Sequence, residues 1–160
     1  MKDIKSVLVD NSFCIRLLKQ DDPFHENCVK YFEYFLQNNV IIYLSTIVIS
    51  EYAVLDNPDN LLAFKAFRVL EFDYMDAKIS GNYYYNLMQD KELLKTLGRK
   101  IVINDLKILA QIQNREIDAY ISKDFASFQK MITPLKSLGL LNVEYIDITV
   151  PLNEQLGELF

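Results

Sequence analysis

Short apolar runs recur along the chain, and polar breaks or amphipathic segments separate each one from the next. Five of these runs are rich in Val, Ile, Leu, Phe or Tyr and nearly continuous, which is typical of strands buried on both faces of a sheet. The five predicted strands are 5–10, 40–46, 69–73, 117–122 and 143–148.

Between the strands, apolar residues return every three or four positions, which is the spacing of one helix face. Val29, Phe32 and Phe35 show this spacing clearly. The predicted helical segments are 12–19, 24–38, 46–56, 59–68, 75–94, 101–113 and 125–138, the last mixed with loop. Strands that alternate with helices predict an α/β fold, a three-layer α/β/α arrangement around a central, mostly parallel sheet of about five strands.

Polar residues and prolines mark the breaks between these elements. Pro23 follows two aspartates and suits the start of a new helix, whereas Asn57-Pro58 ends one. A turn is predicted at 97–100. Asp73 and Asp76 precede the long segment 75–94 or lie in its first turn, and they are predicted to cap it.

Composition adds limits to this picture. A chain of 160 residues, 51% hydrophobic and 24% charged, is expected to form a single domain over 1–160. Cys14 and Cys28 show no metal-ligand spacing, and His25 is the only histidine, which argues against a zinc or haem site. Two buried free thiols, no signal-like start and no long apolar run favour a cytoplasmic protein without membrane contact.

The net charge of −5 argues against a broad basic surface for nucleic acid. It does not exclude a small acidic site that works through bound cations, because part of a negative balance can itself be a metal site without its metal.

Four acids fall where such a site would lie. In parallel sheets, ligands bind beyond the carboxyl ends of the strands. Asp10 and Asp124 follow predicted strands, Glu51 lies about a turn into the helix after the second strand, and Asp105 lies near the start of another helix. Each acid alone reads most simply as a helix cap or a first-turn charge. Their recurrence at one edge of the sheet favours a shared site.

The chemistry of such a cluster is that of a hard divalent cation. Carboxylate oxygens are the ligands that Mg²⁺ and Mn²⁺ prefer, and two such ions can orient a water and stabilise the leaving oxygen of a phosphodiester. The glycine-rich phosphate motifs GxxxxGK[ST] and GxGxxG are absent from the sequence.

Four sequence blocks resemble the PIN-domain nucleases, especially the VapC-type toxin ribonucleases. The blocks are VLVDNSFCIRLL, LSTIVISEYAV, LGRKIVINDLKILAQIQ and YISKDFASF. Each block is short, but they occur in the family's order and span residues 5 to 148. The resemblance implies a Mg²⁺- or Mn²⁺-dependent endoribonuclease that acts on RNA. It also implies a homodimer and a possible antitoxin protein as partner.

Residue by residue, the resemblance makes Asp10, Glu51, Asp105 and Asp124 the catalytic acids. Asp10, Asp105 and Asp124 would bind metal directly, and Glu51 would bind metal or activate the attacking water. Ser12 matches the small hydroxyl residue that supports the first acid, and Ser122 stands where the family usually has Thr. The chain departs from the pattern at Ser127, where a further acid is common, and this thins the metal site.

Two other classes of function remain open on the sequence. A non-catalytic PIN-like module that binds RNA or protein would keep the fold, but the complete set of four acids argues against it. An unrelated α/β phosphatase or receiver-like domain would use Asp10 as nucleophile or phosphoacceptor. That alternative does not account for Glu51 and Asp105 together.

Overall fold

The computed structural model describes residues 3–97 and 102–157. Its five strands form one sheet in the order β3-β2-β1-β4-β5, and every neighbouring pair is parallel. The strands are β1 Ser6–Val9, β2 Ile41–Ser45, β3 Phe67–Leu70, β4 Ala119–Ser122 and β5 Glu144–Asp147. The predicted α/β/α fold with a central five-stranded sheet is confirmed, and the sheet is wholly parallel.

The helices that accompany this sheet follow the predicted segments closely. They are α1 Asn11–Leu18, α2 His25–Gln37, α3 Thr46–Tyr52, α4 Asp59–Leu62, α5 Tyr74–Met88, α6 Lys91–Leu97, α7 Val102–Asn114, α8 Phe125–Ser137 and α9 Leu152–Leu156. No described helix is long and apolar enough to cross a membrane. Most of the turn predicted at 97–100 lies outside the described residues.

Three predicted boundaries were wrong, and local hydrogen bonding explains two of them. The segment 75–94 is two helices, because the side chain of Asp90 accepts a hydrogen bond from the backbone N–H of Leu93 at 3.0 Å and so begins a new helix. The segment 59–68 is helical only to Leu62. Lys65 then adopts a positive φ of 54°, which turns the chain into β3 earlier than predicted. The predicted helix 46–56 ends at Tyr52.

Asp73 and Asp76 cap α5, as predicted. The Asp73 side chain accepts from the backbone N–H of Asp76 at 3.0 Å, and the Asp76 side chain accepts from that of Asp73 at 2.9 Å. This reciprocal pair satisfies two backbone donors that the first turn of a helix leaves unpaired.

The two central strands, β1 and β4, hold the middle of the core. Their apolar side chains at positions 7–9 and 119–121 are fully buried. The Asp118 carboxylate accepts hydrogen bonds from the backbone N–H groups of Lys5 at 2.9 Å and Ser6 at 3.1 Å. This clasp fixes the register of β1 against β4, in which Val7 pairs with Ala119.

The strand order places a crevice above the β1–β4 pair. From β1 the chain runs through β2 and β3 on one side, and then returns to add β4 and β5 on the other. Ligands of open parallel sheets bind at such a reversal, outside the carboxyl ends of the strands. Asp10 directly follows β1 at this point, and Asp124 lies two residues after the end of β4.

Candidate active site

Asp10 lies at the carboxyl end of β1 and is gripped by two serine hydroxyls. Its Oδ2 accepts hydrogen bonds from Ser12 Oγ at 2.8 Å and from Ser122 Oγ at 2.7 Å. Although Asp10 occupies the N-cap position of α1, its side chain makes no capping hydrogen bond. The simple capping interpretation of Asp10 is therefore not what the structure shows.

Backbone N–H groups of the loop after β4 direct both serine protons toward Asp10. Ser12 Oγ accepts from the backbone N–H of Lys123 at 3.0 Å, and Ser122 Oγ accepts from that of Asp124 at 3.2 Å. Because each hydroxyl accepts one hydrogen bond, its own proton remains for the Asp10 carboxylate. Ser12 and Ser122 thus contact the first acid, as the resemblance implied, and they tie α1 to the end of β4.

Asp124 and Glu51 flank this centre. Asp124 occupies the N-cap position of α8, yet it makes no capping hydrogen bond, and it is exposed. Glu51 lies near the end of α3 and is half-buried. Its Oε1 accepts a hydrogen bond from Asn104 Nδ2 at 3.3 Å.

Asp105 lies in the first turn of α7, and the charges of the other three acids affect its pKa. Burial raises its pKa, and the negative charges of Asp10, Glu51 and Asp124 raise it further, to about 7. Burial and the charge of Asp10 also raise the pKa of Glu51. All four predicted acids therefore lie within one electrostatic environment, although they come from four separate parts of the sequence.

No basic side chain in the described part of the chain forms an ion pair with any of these four acids. Arg16, which could have approached Asp10, instead donates to the Ser12 carbonyl at 2.9 Å and pairs with Asp22 at 3.4 Å. The sequence also contains Arg99 and Lys100 close to Asp105, but both lie outside the described residues.

The two lysines nearest in sequence to the acids rest on aromatic rings. Lys107 Nζ lies 5.8 Å from the ring centre of Phe72, and Lys123 Nζ lies 5.3 Å from that of Phe24. Each pair has cation–π geometry. Neither lysine forms an ion pair with an acid in the described part of the chain.

The donor set fits Mg²⁺ or Mn²⁺ in its chemistry. All four side chains offer carboxylate oxygens, the hard ligands that these ions prefer. Within residues 3–97 and 102–157, no three His, Cys, Asp or Glu side chains are grouped tightly enough to hold a metal ion as they stand. Burial first, and then the charges of Asp10, Glu51 and Asp124, raise the pKa of Asp105, and a divalent cation would offset those charges.

Asn104 was not predicted as a site residue. It stands directly before Asp105 in the sequence, and its amide joins α7 to Glu51 of α3. A polar residue beside a candidate ligand was the only available signal, and a single sequence does not show that the amide reaches another helix.

His25 lies outside the group of acids. It is half-buried, and its Nδ1 is 2.7 Å from the carbonyl oxygen of Arg16, in the last turn of α1. An N–H at Nδ1 would satisfy one of the carbonyl groups that a helix end leaves unpaired. This contact accounts for the only histidine without a role at the site.

Comparisons with known proteins point to one group of structures. No family profile matches the sequence, and no curated protein matches it in sequence. VapBC2 from Rickettsia felis, solved bound to a DNA fragment from its promoter, matches with a TM-score of 0.61 at 18% identity, over 89% of this chain and 99% of that chain. VapBC-1 from nontypeable Haemophilus influenzae matches with a TM-score of 0.59 at 18% identity, over 91% and 99%.

A third structure is VapC20 from Mycobacterium tuberculosis, described as a toxin that cleaves the sarcin–ricin loop. It matches with a TM-score of 0.53 at 16% identity, over 76% of this chain and 94% of that chain. The chain therefore has the PIN-type α/β/α fold of the VapC and VapBC structures, which confirms the fold that the four sequence blocks predicted.

Proposed function

We propose that this protein is a divalent-metal-dependent endoribonuclease and the toxin of a toxin–antitoxin pair. The observation that carries the proposal is the state of Asp105. Its carboxyl is half-buried and faces three other carboxylates, with no cation from the described residues to balance them. Such a cluster is costly unless a cation completes it, and perturbed acids in a crevice mark functional sites.

The structural neighbours support the same class of activity. VapC20 is described as a toxin that cleaves the sarcin–ricin loop, one VapBC structure is described as bound to a promoter DNA fragment, and another is described as DNA bound. The acids of the present chain also occur in the four blocks that resemble those of this nuclease family. A cognate antitoxin, a homodimer, a single domain over 1–160 and a cytoplasmic location are part of the proposal.

Each acid has a part in the proposed reaction. Asp10, Asp105 and Asp124 would hold Mg²⁺ or Mn²⁺, which when bound supplies positive charge for the scissile phosphate and the leaving oxygen. Ser12 and Ser122 fix the orientation of Asp10 for this task. Glu51, whose Oε1 accepts a hydrogen bond from Asn104, would bind metal or take a proton from the attacking water.

RNA cleavage by single variants, with and without Mn²⁺, tests the proposal. Asp10→Asn is expected to abolish metal-dependent cleavage while the protein stays folded. Glu51→Gln is expected to slow cleavage about 10²- to 10⁴-fold, the usual contribution of a general base. Asp118→Asn is the matched control, because its carboxylate binds backbone at the opposite end of β4 and should leave cleavage unchanged per folded molecule.

Thermal melts separate catalysis from mere capping. A cation that binds only the folded protein raises its stability, by about 2.7 kcal/mol at a hundred times Kd. The wild type should show this rise with Mn²⁺ and Asp10→Asn should not. Cleavage by Asp10→Asn at the wild-type level would overturn the assignment, and RNA binding without cleavage would favour the non-catalytic module.

A further inference from the structure

Two tyrosines beneath the acids have buried hydroxyls without hydrogen bonds. Tyr120 of β4 is fully buried, and Tyr145 of β5 is half-buried with a buried hydroxyl. Neither hydroxyl forms a hydrogen bond of normal geometry among the described residues, although Tyr120 lies near enough to Asp10, and Tyr145 near enough to Ser122, for a weaker polar interaction. A buried polar group is nearly always paired, so an exception calls for a ligand, a water or a functional partner. Tyr120 and Tyr145 are called the tyrosine pair below.

Strand geometry places the tyrosine pair on the same face as the acid centre. Side chains two residues apart on a strand share a face, so Tyr120 projects on the side of Ser122, whose hydroxyl binds Asp10. Tyr120 is also opposite Leu8 on β1, two residues before Asp10, and opposite Tyr145 on β5. The two tyrosine ring centres are 6.1 Å apart.

The carboxylates that act on the tyrosine pair are those of the candidate site. Burial raises the pKa of Tyr120 far above its usual range, and the charges of Asp10 and Asp105 add to this. Burial likewise raises the pKa of Tyr145; an interaction with the Ser122 hydroxyl opposes this, and the charges of Asp147, Asp10 and Asp124 add smaller increases. Both hydroxyls therefore keep their protons at any working pH and are available as donors.

Buried tyrosines elsewhere in the described chain are paired. The Tyr83 hydroxyl donates to the Leu140 carbonyl at 2.6 Å, and the Tyr31 hydroxyl donates to the Val150 carbonyl at 2.8 Å. The tyrosine pair thus differs from the other buried tyrosines in position and in bonding alike, since it alone lies beside the acids.

We propose that Tyr120 and Tyr145 are positioning residues that donate hydrogen bonds to the acid cluster when it holds a divalent cation, with Tyr120 acting on Asp10. The inference rests on the proposed function. In the metal-free protein neither hydroxyl forms a hydrogen bond of normal geometry with a described residue. Once a cation draws the carboxylates together, each hydroxyl gains an acceptor and holds that carboxylate in the orientation that binds metal.

The test measures Mn²⁺ affinity by titration calorimetry, and stability in urea without metal, for Tyr120→Phe, Tyr145→Phe and the control Tyr83→Phe. Tyr120→Phe is expected to raise the Kd for Mn²⁺ about tenfold, which corresponds to about 1.4 kcal/mol. It should leave the metal-free urea midpoint unchanged or higher, because it removes an unpaired hydroxyl. Tyr83→Phe should show the reverse pattern, with a lower midpoint and an unchanged Kd.

Wild-type affinity for Mn²⁺ in both Tyr120→Phe and Tyr145→Phe would overturn the positioning role and leave the proposed function standing. If the wild type binds no Mn²⁺, the proposed function fails and the positioning role fails with it. Should Tyr120→Phe not fold, Tyr145→Phe decides the matter, and an unchanged Kd in that variant overturns the proposal.

Discussion

Two aspartates, Asp76 and Asp105, are both removed from water beside helix α7, yet their surroundings are opposite. Asp76 is fully buried; it forms an ion pair with Arg115 and accepts a hydrogen bond from Asn114 Nδ2 at 2.8 Å. Asp105, at the other end of the helix, has no ion pair or side-chain hydrogen bond in the described part of the chain, and three acids face it. Within the described residues, one charge is balanced by a neighbouring side chain and the other is not.

The contrast separates a structural acid from a candidate functional one. Asp76 takes part in the capping box of α5 and forms an ion pair with Arg115, so it connects α5 to the end of α7. Such a pair needs nothing from outside, although breaking it leaves an uncompensated buried charge. Asp105 has no such partner in the part of the chain that the structure describes, and on the proposed function an external cation supplies the balance. Helix α7 therefore carries a structural centre at one end and the candidate site at the other.

Removing the positive charge of Arg115, the ion-pair partner of Asp76, should have the largest effect on stability. Arg115→Ala is expected to lower the free energy of unfolding by about 3–5 kcal/mol, because Asp76 stays buried without its partner. Urea unfolding measures it. Lys95→Ala is the control, since its pair with Glu92 is largely exposed and should contribute less than about 0.5 kcal/mol. Equal small losses in both variants would contradict the contrast.

Removing the charge at the candidate site should act in the opposite direction. The pKa of Asp105 is about 7 in the folded protein and 3.8 as the ordinary value, so the folded state keeps a proton that the unfolded state releases between these values. Stability conferred by that proton is present at low pH and is lost as pH rises through about 7.

Asp105→Asn cannot ionise and should flatten this pH dependence. At pH 8 without metal it is expected to be more stable than the wild type by about 2–3 kcal/mol. This is less than the total obtained from about 1.36 kcal/mol for each of the roughly three pKa units of the shift, because the site is partly solvated. Urea unfolding from pH 4 to pH 8 gives the measurement, with the exposed Asp21→Asn as control. Destabilisation of Asp105→Asn at pH 8 would show that the carboxylate is balanced after all.

The smallest expected effect comes from loosening Asp10 without touching any charge. Ser122→Ala removes a buried hydroxyl that donates to Asp10 and accepts from the backbone of Asp124. A loss of about 1–2 kcal/mol in the free energy of unfolding is expected, as for a hydrogen bond to a charged group. Ser137→Ala removes an exposed hydroxyl from α8 and should change little. Equal values for the two variants would mean that Ser122 does not support Asp10.

Much of the fold was predictable because its strands and helices depend on the pattern of apolar and polar residues close together in the sequence. All five strands were found within two or three residues, since apolar runs such as the one before Asp10 have no other plausible place than a buried sheet. The Asp73–Asp76 cap was found for the same reason, because both partners lie three residues apart. The separation of α5 from α6 was missed because one polar side chain, Asp90, decided it.

The candidate site was predictable in its members but not in its bonding. Strand ends placed the acids at one edge, and the family blocks assigned them. Ser12 and Ser122 both donate hydrogen bonds to Asp10, and Ser122 is 112 positions from Asp10 in the sequence. The sequence does not give the geometry of these hydrogen bonds. Nor does it show that Arg16 binds Asp22, or that the hydroxyl of Tyr120 forms no hydrogen bond of normal geometry among the described residues.

The placement of β4 beside β1 has a consequence for the chain as it is made. Asp10 leaves the ribosome before its partner Ser122, which follows 112 residues later, a delay of roughly 6 to 20 seconds at ordinary rates of synthesis. Asp105 follows Asp10 by 95 residues and Asp124 by 114, and contacts between such distant segments form slowly. On the proposed function, the growing chain cannot complete its candidate site until Asp124 has been made.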